Sequence, residues 1–208
     1  MPLIKEIKIS SSDKLFVWEM TESREELLVI ADPEDSYLKS LAEINHAKRR
    51  RELLALKAML RFIGFDEKIS YLPNGKPVVN DDIHISISHC DQYAGFLLSD
   101  RACGLDIQNK NEKIALIAPR FCNEEELKFA ESSADPLACY TAMWSIKESI
   151  FKVYGEKLAF AEQMKIEKFD PYKNKSVKVH VTRPEGDSIF EVQITQITDY
   201  FAIMAFLE

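Results

Sequence analysis

The chain has 208 residues, of which 46% are hydrophobic and 29% charged, and this composition is typical of a folded globular protein. Its net charge of −7 argues against nucleic acid as the main partner, because a phosphate backbone requires a basic surface. Four well-separated cysteines predict neither a disulfide scaffold nor a zinc module. We therefore expect a cytoplasmic protein with reduced thiols, and its apolar runs are too short to span a membrane.

Strands and then helices are predicted for the first part of the chain. The runs "IKEIKIS" and "KLFVWEM" indicate strands, and Ser23 with Glu26 forms a capping-box pattern that opens the helix "SREELLVIAD". Apolar residues then recur at helical spacing up to Gly64, which predicts two helices that break near Asn45. Short strands follow in this order: "KISYL", "KPVV", "HISISHC", "YAGFLLSD" and "ACGLDIQ".

The chain returns to helix after Gln108 and ends in three strand-like runs. The predicted helices are "EKIALIAPRF", "NEEELKFAES" and "PLACYTAMWSIKESIFKVYG", and the strands are "VKVHVTRP", "IFEVQIT" and "YFAIMAFLE". Helices followed by strands thus occur twice, which predicts an α+β protein. We divide it into an N-terminal half, residues 1–100, and a C-terminal half, residues 101–208, although no residue-level repeat relates them.

Carboxylates in the C-terminal half are candidate metal ligands. Asp106 and Gln108 point to the same side of the strand "CGLDIQN", and Mg²⁺ bound to phosphates typically uses one or two protein carboxylates. Glu148 and Lys152 lie four residues apart, so they share one face of the helix "WSIKESIFKVYG". The alternative for Asp106 and Gln108 is a polar edge strand. The alternative for Glu148 and Lys152 is a surface salt bridge worth about 0.2–0.5 kcal/mol.

Basic residues of the N-terminal half are candidate phosphate ligands. The segment "AKRRRELLALKAMLR" is basic in an acidic chain, and it could be a solvated helix face or a phosphate site. His89 lies near the end of the run "HISISHC", before a turn, and Lys76 lies in the turn "PNGKP"; each could instead be structural or solvated. The absence of GxxxxGK[ST], HExxH and GxSxG motifs removes P-loop ATPases, zincins and α/β-hydrolases from consideration.

In order along residues 46–160, these segments resemble the motifs of the Sfp-type 4′-phosphopantetheinyl transferases. The resemblance is carried by an arginine before "ELLA", a GKP turn, a serine–histidine segment, an Asp-containing strand and a WxxKExxxK helix. The matching positions are Arg51, Gly75-Lys76-Pro77, "SISHC" at 86–90, "GLDIQ" at 104–108, Glu126 in "RFCNEEEL" and "WSIKESIFK" at 144–152.

Three positions depart from the family pattern. Gln108 replaces the second strand acid, Ser86 stands where asparagine is common, and Cys90 replaces a serine. The amide oxygen of Gln108 can still ligate Mg²⁺ or a bound water, but it adds no charge. We therefore expect weaker metal binding in the absence of substrate.

The resemblance implies a fold of two similar α+β halves, related by a pseudo-twofold axis, with coenzyme A in the cleft between them. It implies transfer of the 4′-phosphopantetheine arm of coenzyme A to a serine of an apo acyl or peptidyl carrier protein, releasing 3′,5′-ADP. The reaction would need Mg²⁺, or Mn²⁺ in its place, and the protein would act as a monomer. The alternatives are a relative that binds coenzyme A or a carrier with weak transfer, and a Mg²⁺-dependent phosphohydrolase.

Individual roles follow from the same resemblance. Asp106, Glu148 and Gln108 would hold the metal ion. Glu148, or a metal-bound water near it, would take the serine proton, and Lys152 would stabilise the leaving phosphate. Acidic carrier proteins would need a locally basic or apolar docking surface, for which the cluster at 48–61 is one candidate. The residues expected to contact coenzyme A are Arg51, Lys76, His89 and Lys147.

Overall fold

The computed structural model describes residues 4–208, and side-chain burial from residue 5. The first part of the chain forms a four-stranded antiparallel sheet, three helices and a small two-stranded hairpin. Its elements are β1 (Ile4–Lys8), β2 (Lys14–Glu19), α1 (Arg24–Ala31), α2 (Asp35–Ala42), α3 (Ala47–Phe62), β3 (Ser70–Tyr71), β4 (Pro77–Val78), β5 (His84–Cys90) and β6 (Tyr93–Ser99).

 

Three of the seven α-helices in residues 4–208 belong to this first part, and the other four belong to the second part. The second part forms a five-stranded antiparallel sheet with a short 3₁₀ turn at Ala118–Arg120. Its elements are β7 (Cys103–Asn109), α4 (Glu112–Ile117), α5 (Glu124–Glu131), α6 (Pro136–Tyr154), α7 (Phe160–Gln163), β8 (Met164–Ile166), β9 (Ser176–Val181), β10 (Ser188–Ile197) and β11 (Tyr200–Leu207).

The predicted α+β class is confirmed, and so are several element ends. Ser23 and Glu26 form the capping box of α1. The predicted break near Asn45 is present, because α2 ends at Ala42 and α3 begins at Ala47. The strands predicted at "KISYL" and "KPVV" are present but are only two residues long each.

Each sheet keeps to one part of the chain. The strand order is β1-β2-β6-β5 in the first sheet and β7-β11-β10-β9-β8 in the second. The change from one sheet to the other falls between Ser99 and Cys103, close to the predicted boundary at residue 100. The sheets differ in strand number, and the pseudo-twofold axis and the division into two domains stay predictions.

Three apolar clusters hold the elements together. One lies between α6 and the second sheet, and one lies between the first sheet and helices α1–α3. The third joins the two sheets, so the two parts of the chain share a buried interface. Its members include Leu15, Val17, Leu97, Leu105, Ile107, Met204 and Phe206.

Serine hydroxyls join the edge strands of the two sheets. The Oγ of Ser86 accepts a hydrogen bond from the backbone N–H of Leu105 (2.9 Å), and the Oγ of Ser88 accepts one from Ile107 (3.0 Å). β5 and β7 are edge strands, whose outward N–H groups need partners when they are buried. We call this contact between β5 and β7 the seam.

None of the helices in the described part of the chain combines the length and the apolar character that a membrane-spanning helix requires.

Candidate active site

Helix α6 lies directly on strand β7. A Cβ atom added at Gly104 would come within 1.9 Å of the carbonyl oxygen of Ser149, so only glycine permits this approach. The helix begins at a cap in which Asp135 accepts a hydrogen bond from Ala138, and it ends at Gly155 with a φ of 71°. This packing carries the middle of α6 over the strand that bears Asp106.

The carboxylate of Asp106 is the centre of the resulting polar cluster. Asp106 is only 8% exposed, and its Oδ2 accepts a hydrogen bond from Ser145 Oγ at 2.6 Å. Its Oδ1 accepts from Lys152 Nζ at 3.0 Å and from Ser88 Oγ at 3.3 Å. Lys152 also donates to the carbonyl oxygen of Leu105 at 2.7 Å. Residues 46 positions apart in the sequence thus form one ion pair.

Glu148 lies close enough to Asp106 for their charges to interact. Burial raises the pKa of Glu148, the negative charge of Asp106 raises it further, and Lys152 opposes both effects. Two carboxylates that repel each other in a partly buried site are stabilised by a bound cation. The pair that the sequence analysis placed around one metal ion is therefore brought together.

Gln108 occupies the position two residues beyond Asp106 on β7. Its Nε2 donates to Asn109 Oδ1 at 3.1 Å, and Asn109 in turn donates to Asp91 at 3.2 Å. Lys48 closes this chain by pairing with Asp91 at 3.1 Å. These contacts engage the amide nitrogen of Gln108, so its amide oxygen is the end suited to a cation.

The donor set fits a hard divalent cation. Among residues 4–208, no group of three or more histidine, cysteine, aspartate or glutamate side chains could hold a metal ion. Asp106 and Glu148 supply two carboxylates, and the remaining ligands would be the Gln108 amide, water or phosphate oxygens. Mg²⁺ is commonly bound in this way, by one or two carboxylates together with substrate phosphates.

His89 connects this cluster to the basic residues of α3. Its Nε2 contacts Arg49 and lies 3.3 Å from Glu52 Oε2. Burial lowers the pKa of His89, Glu52 raises it, and the positive charges of Arg49 and Lys152 lower it again. His89 also directly follows Ser88 on β5, and the Oγ of Ser88 contacts both Asp106 and Lys152.

Arg51 lies on α3 next to Glu52 in the sequence, and both residues line one cavity. It is exposed, donates to the carbonyl oxygen of Met20 at 2.6 Å, and lines a cavity of about 470 Å³ together with Lys48 and Asp91. A guanidinium group at the wall of a cavity of this size can still bind a phosphate.

Lys76 contacts the C-terminal end of α6. Its Nζ donates to the carbonyl oxygen of Val153, and Asn74 Nδ2 donates to the carbonyl oxygen of Gly155 at 2.6 Å. Burial lowers the pKa of Lys76. The turn predicted at "PNGKP" therefore caps the same helix that carries Glu148, and Lys76 contacts that helix at Val153, five residues after Glu148.

Lys147 corrects the sequence analysis, because it lies in the core and not in the site. The residue is 0% exposed, and its Nζ donates to Glu126 Oε2 at 2.6 Å. Its other acceptors are the carbonyl oxygens of Phe121, Phe160 and Met164, at 2.8, 3.0 and 3.3 Å. An ammonium group has three donors, so these contacts leave none for coenzyme A.

Three neighbours of the site were missed by the sequence analysis. Arg49 lies in the basic cluster at 48–61 but was given no individual role, and Ser88 and Ser145 were given none either. Ser145 precedes Glu148 by three residues, a spacing that puts both on one face of a helix, and this is the signal that could have found it. Ser88 had no comparable signal, because the seam depends on contacts between distant strands.

Comparison with known proteins identifies similar sequences. Residues 102–203 match the model of the 4′-phosphopantetheinyl transferase superfamily. Over 110 residues the chain is 34% identical to the 4′-phosphopantetheinyl transferase gsp of Aneurinibacillus migulanus. That alignment covers 50% of this chain and 46% of the relative, so the chain matches about half the length of this curated protein.

Proposed function

Because the chain belongs to the 4′-phosphopantetheinyl transferase superfamily, we propose that it transfers the 4′-phosphopantetheine arm of coenzyme A to a serine of an apo carrier protein. The product besides the holo carrier is 3′,5′-ADP. The observation that carries the proposal is the meeting of Asp106, Glu148 and Lys152 where α6 crosses β7.

Three oxygen-bearing side chains would hold Mg²⁺, or Mn²⁺ in its place. They are Asp106, Glu148 and, through its amide oxygen, Gln108. When bound, the cation neutralises negative charge on the pyrophosphate of coenzyme A. The mutual repulsion of the two carboxylates supports this assignment, since a cation between them would relieve it.

Lys152 and Glu148 would act on the reacting groups. Lys152 Nζ is held by Asp106 and by the carbonyl oxygen of Leu105, so its positive charge stays at the site and can stabilise the leaving phosphate. Glu148 accepts the proton of the carrier serine at its carboxylate. Glu148 and Lys152 lie four residues apart on α6 and share one face, which supports placing the base and the leaving-group lysine at one reacting centre.

Residues of the N-terminal part would bind the rest of coenzyme A. Arg51 and His89 would contact its phosphates. Arg49 would contact them too, because its side chain lies against His89. Lys76 would lie near the adenine and pantetheine groups. The excess of basic side chains on α3 supports phosphate binding at this end of the site.

The setting of the reaction is part of the same proposal. The four cysteines, Cys90, Cys103, Cys122 and Cys139, are free, which agrees with a reducing compartment such as the cytoplasm. We expect the protein to act as a monomer, with neither nucleic acid nor membrane as a partner.

Mass spectrometry of an apo acyl or peptidyl carrier tests the proposal directly. The carrier is incubated with the protein, coenzyme A and Mg²⁺, and it should gain the mass of one phosphopantetheine arm. Chelation of the metal should prevent this gain. If the carrier stays unmodified while coenzyme A still binds, the protein is a binding relative; if coenzyme A is hydrolysed without a carrier, it is a phosphohydrolase.

The variant Gln108→Glu tests the metal shell within the same assay. It restores a charged ligand, so transfer should reach half of its maximal rate at a lower Mg²⁺ concentration than in the wild type. An unchanged Mg²⁺ requirement would remove Gln108 from the shell.

A further inference from the structure

Two buried hydroxyl groups, one from each part of the chain, donate hydrogen bonds to the carboxylate of Asp106. Ser145, on α6, is 0% exposed and donates to Oδ2 at 2.6 Å. Ser88, on β5, is 5% exposed and donates to Oδ1 at 3.3 Å. The shorter bond has the length of a hydroxyl donating to a charged carboxylate.

The hydrogen-bonding capacity of Ser88 is fully used. A serine hydroxyl has one donor and two acceptor positions. Its oxygen accepts from the backbone N–H of Ile107 at 3.0 Å and from Lys152 Nζ at 3.2 Å. Its single proton is therefore directed at Asp106, and the seam fixes where that proton points.

We propose that Ser145 and Ser88 are positioning residues that set the orientation of the Asp106 carboxylate for cation binding. The inference rests on the proposed function, in which Asp106 is a metal ligand. Each carboxylate oxygen is tied to a different hydroxyl, so rotation about the bond to the carboxyl group would break both contacts. Groups that orient a ligand in this way commonly change metal affinity by about 10- to 100-fold when they are removed.

The chain offers a matched control for each serine. Ser149 is also 0% exposed on α6, and its Oγ donates to the carbonyl oxygen of Ile146 at 2.7 Å. Ser86 is 3% exposed on β5 and accepts the N–H of Leu105 across the seam, as Ser88 accepts that of Ile107. Within the described residues, neither control hydroxyl has a hydrogen bond with Asp106.

The experiment measures Mn²⁺ binding to the full chain in the presence of coenzyme A, by electron paramagnetic resonance, without any carrier. Ser145→Ala should bind Mn²⁺ about 10- to 100-fold more weakly than the wild type, and Ser88→Ala about tenfold more weakly because its bond is longer. Ser149→Ala and Ser86→Ala should stay within about twofold of the wild type. Thermal unfolding of each variant reports the structural effect of losing a buried hydroxyl.

The outcomes separate this inference from the proposed function. If Ser145→Ala binds Mn²⁺ as the wild type does, or if the control variants weaken binding equally, the positioning role is overturned. If the wild type itself does not bind Mn²⁺, the metal site and the proposed function fail, and this inference fails with them. Should Ser145→Ala not fold, Ser145→Cys keeps a weaker donor and is expected to bind with intermediate affinity; wild-type affinity there would overturn the role.

Discussion

Replacing Lys147 by methionine should destabilise the protein severely without touching the site. The change keeps most of the side-chain volume but removes an ammonium group that bonds to Glu126 and to the carbonyl oxygens of Phe121, Phe160 and Met164. Removing one partner of a buried ion pair costs about 3–5 kcal/mol. Since a typical domain is stable by only about 5–15 kcal/mol, the free energy of unfolding should fall by a large fraction.

Urea denaturation measures this loss, and a surface lysine supplies the control. Lys165 pairs with Glu125 at 3.1 Å, but the two side chains are 66% and 79% exposed. Lys165→Met should therefore cost less than about 1 kcal/mol. A loss below about 1 kcal/mol for Lys147→Met, together with weakened coenzyme A binding, would refute the core assignment and return Lys147 to the ligand.

Three further substitutions test the site and its support. Glu148→Gln should abolish transfer yet raise the metal-free unfolding free energy at pH 7, because burial and Asp106 disfavour the charged carboxylate. That gain should vanish below the ordinary pKa of 4.5, where Glu148 is protonated in both states; a loss of folding at pH 7 would make it structural. Gly104→Ala should cost about 3 kcal/mol or more in a thermal melt, because the new methyl group meets the Ser149 carbonyl oxygen, and a neutral result would contradict the close packing. Lys76→Met should cost about 1 kcal/mol in the same measurement by removing a hydrogen bond at the end of α6.

Local sequence patterns predicted most elements of the fold. The capping box at Ser23, the helix stop near Gly64 and the long helix ending before Gly155 depend on residues within one or two turns, so the sequence reveals them. The short elements α7 and β8 were not predicted. They span only four and three residues, too few to show a helical or an alternating period.

The arrangement of the sheets could not be read from such patterns. β7 follows β6 in the chain but pairs with β11, nearly a hundred residues later. The alternation along β7 predicted which residues face inward, but the same alternation would suit several partner strands. The seam with β5 was invisible for the same reason, since it is made by serine hydroxyls and not by a sheet ladder.

The site shows a similar division between local and distant information. Spacing alone put Glu148 and Lys152 on one face of α6, and the structure adds Asp106 to that face through packing at Gly104. Spacing could not separate Lys147 from Lys152, because both are lysines in an apolar helix. Their difference arises from what packs against each side of α6: Glu126 and three carbonyl groups on one side, and β7 on the other.

The matched segment, residues 102–203, carries the candidate carboxylates but leaves part of their support outside it. In that segment β7 is an edge strand, and the N–H groups of Leu105 and Ile107 depend on Ser86 and Ser88 for their partners. Leaving a buried N–H group unpaired costs about 1–3 kcal/mol, and separating the two parts would also expose the apolar cluster between the sheets. Because the same Ser88 hydroxyl accepts the N–H of Ile107 and donates to Asp106, the proposed metal ligand, the contact that stabilises the seam is also a contact of the candidate site. The two parts of the chain are therefore coupled in folding, and under the proposed function the same contact would couple them in metal binding.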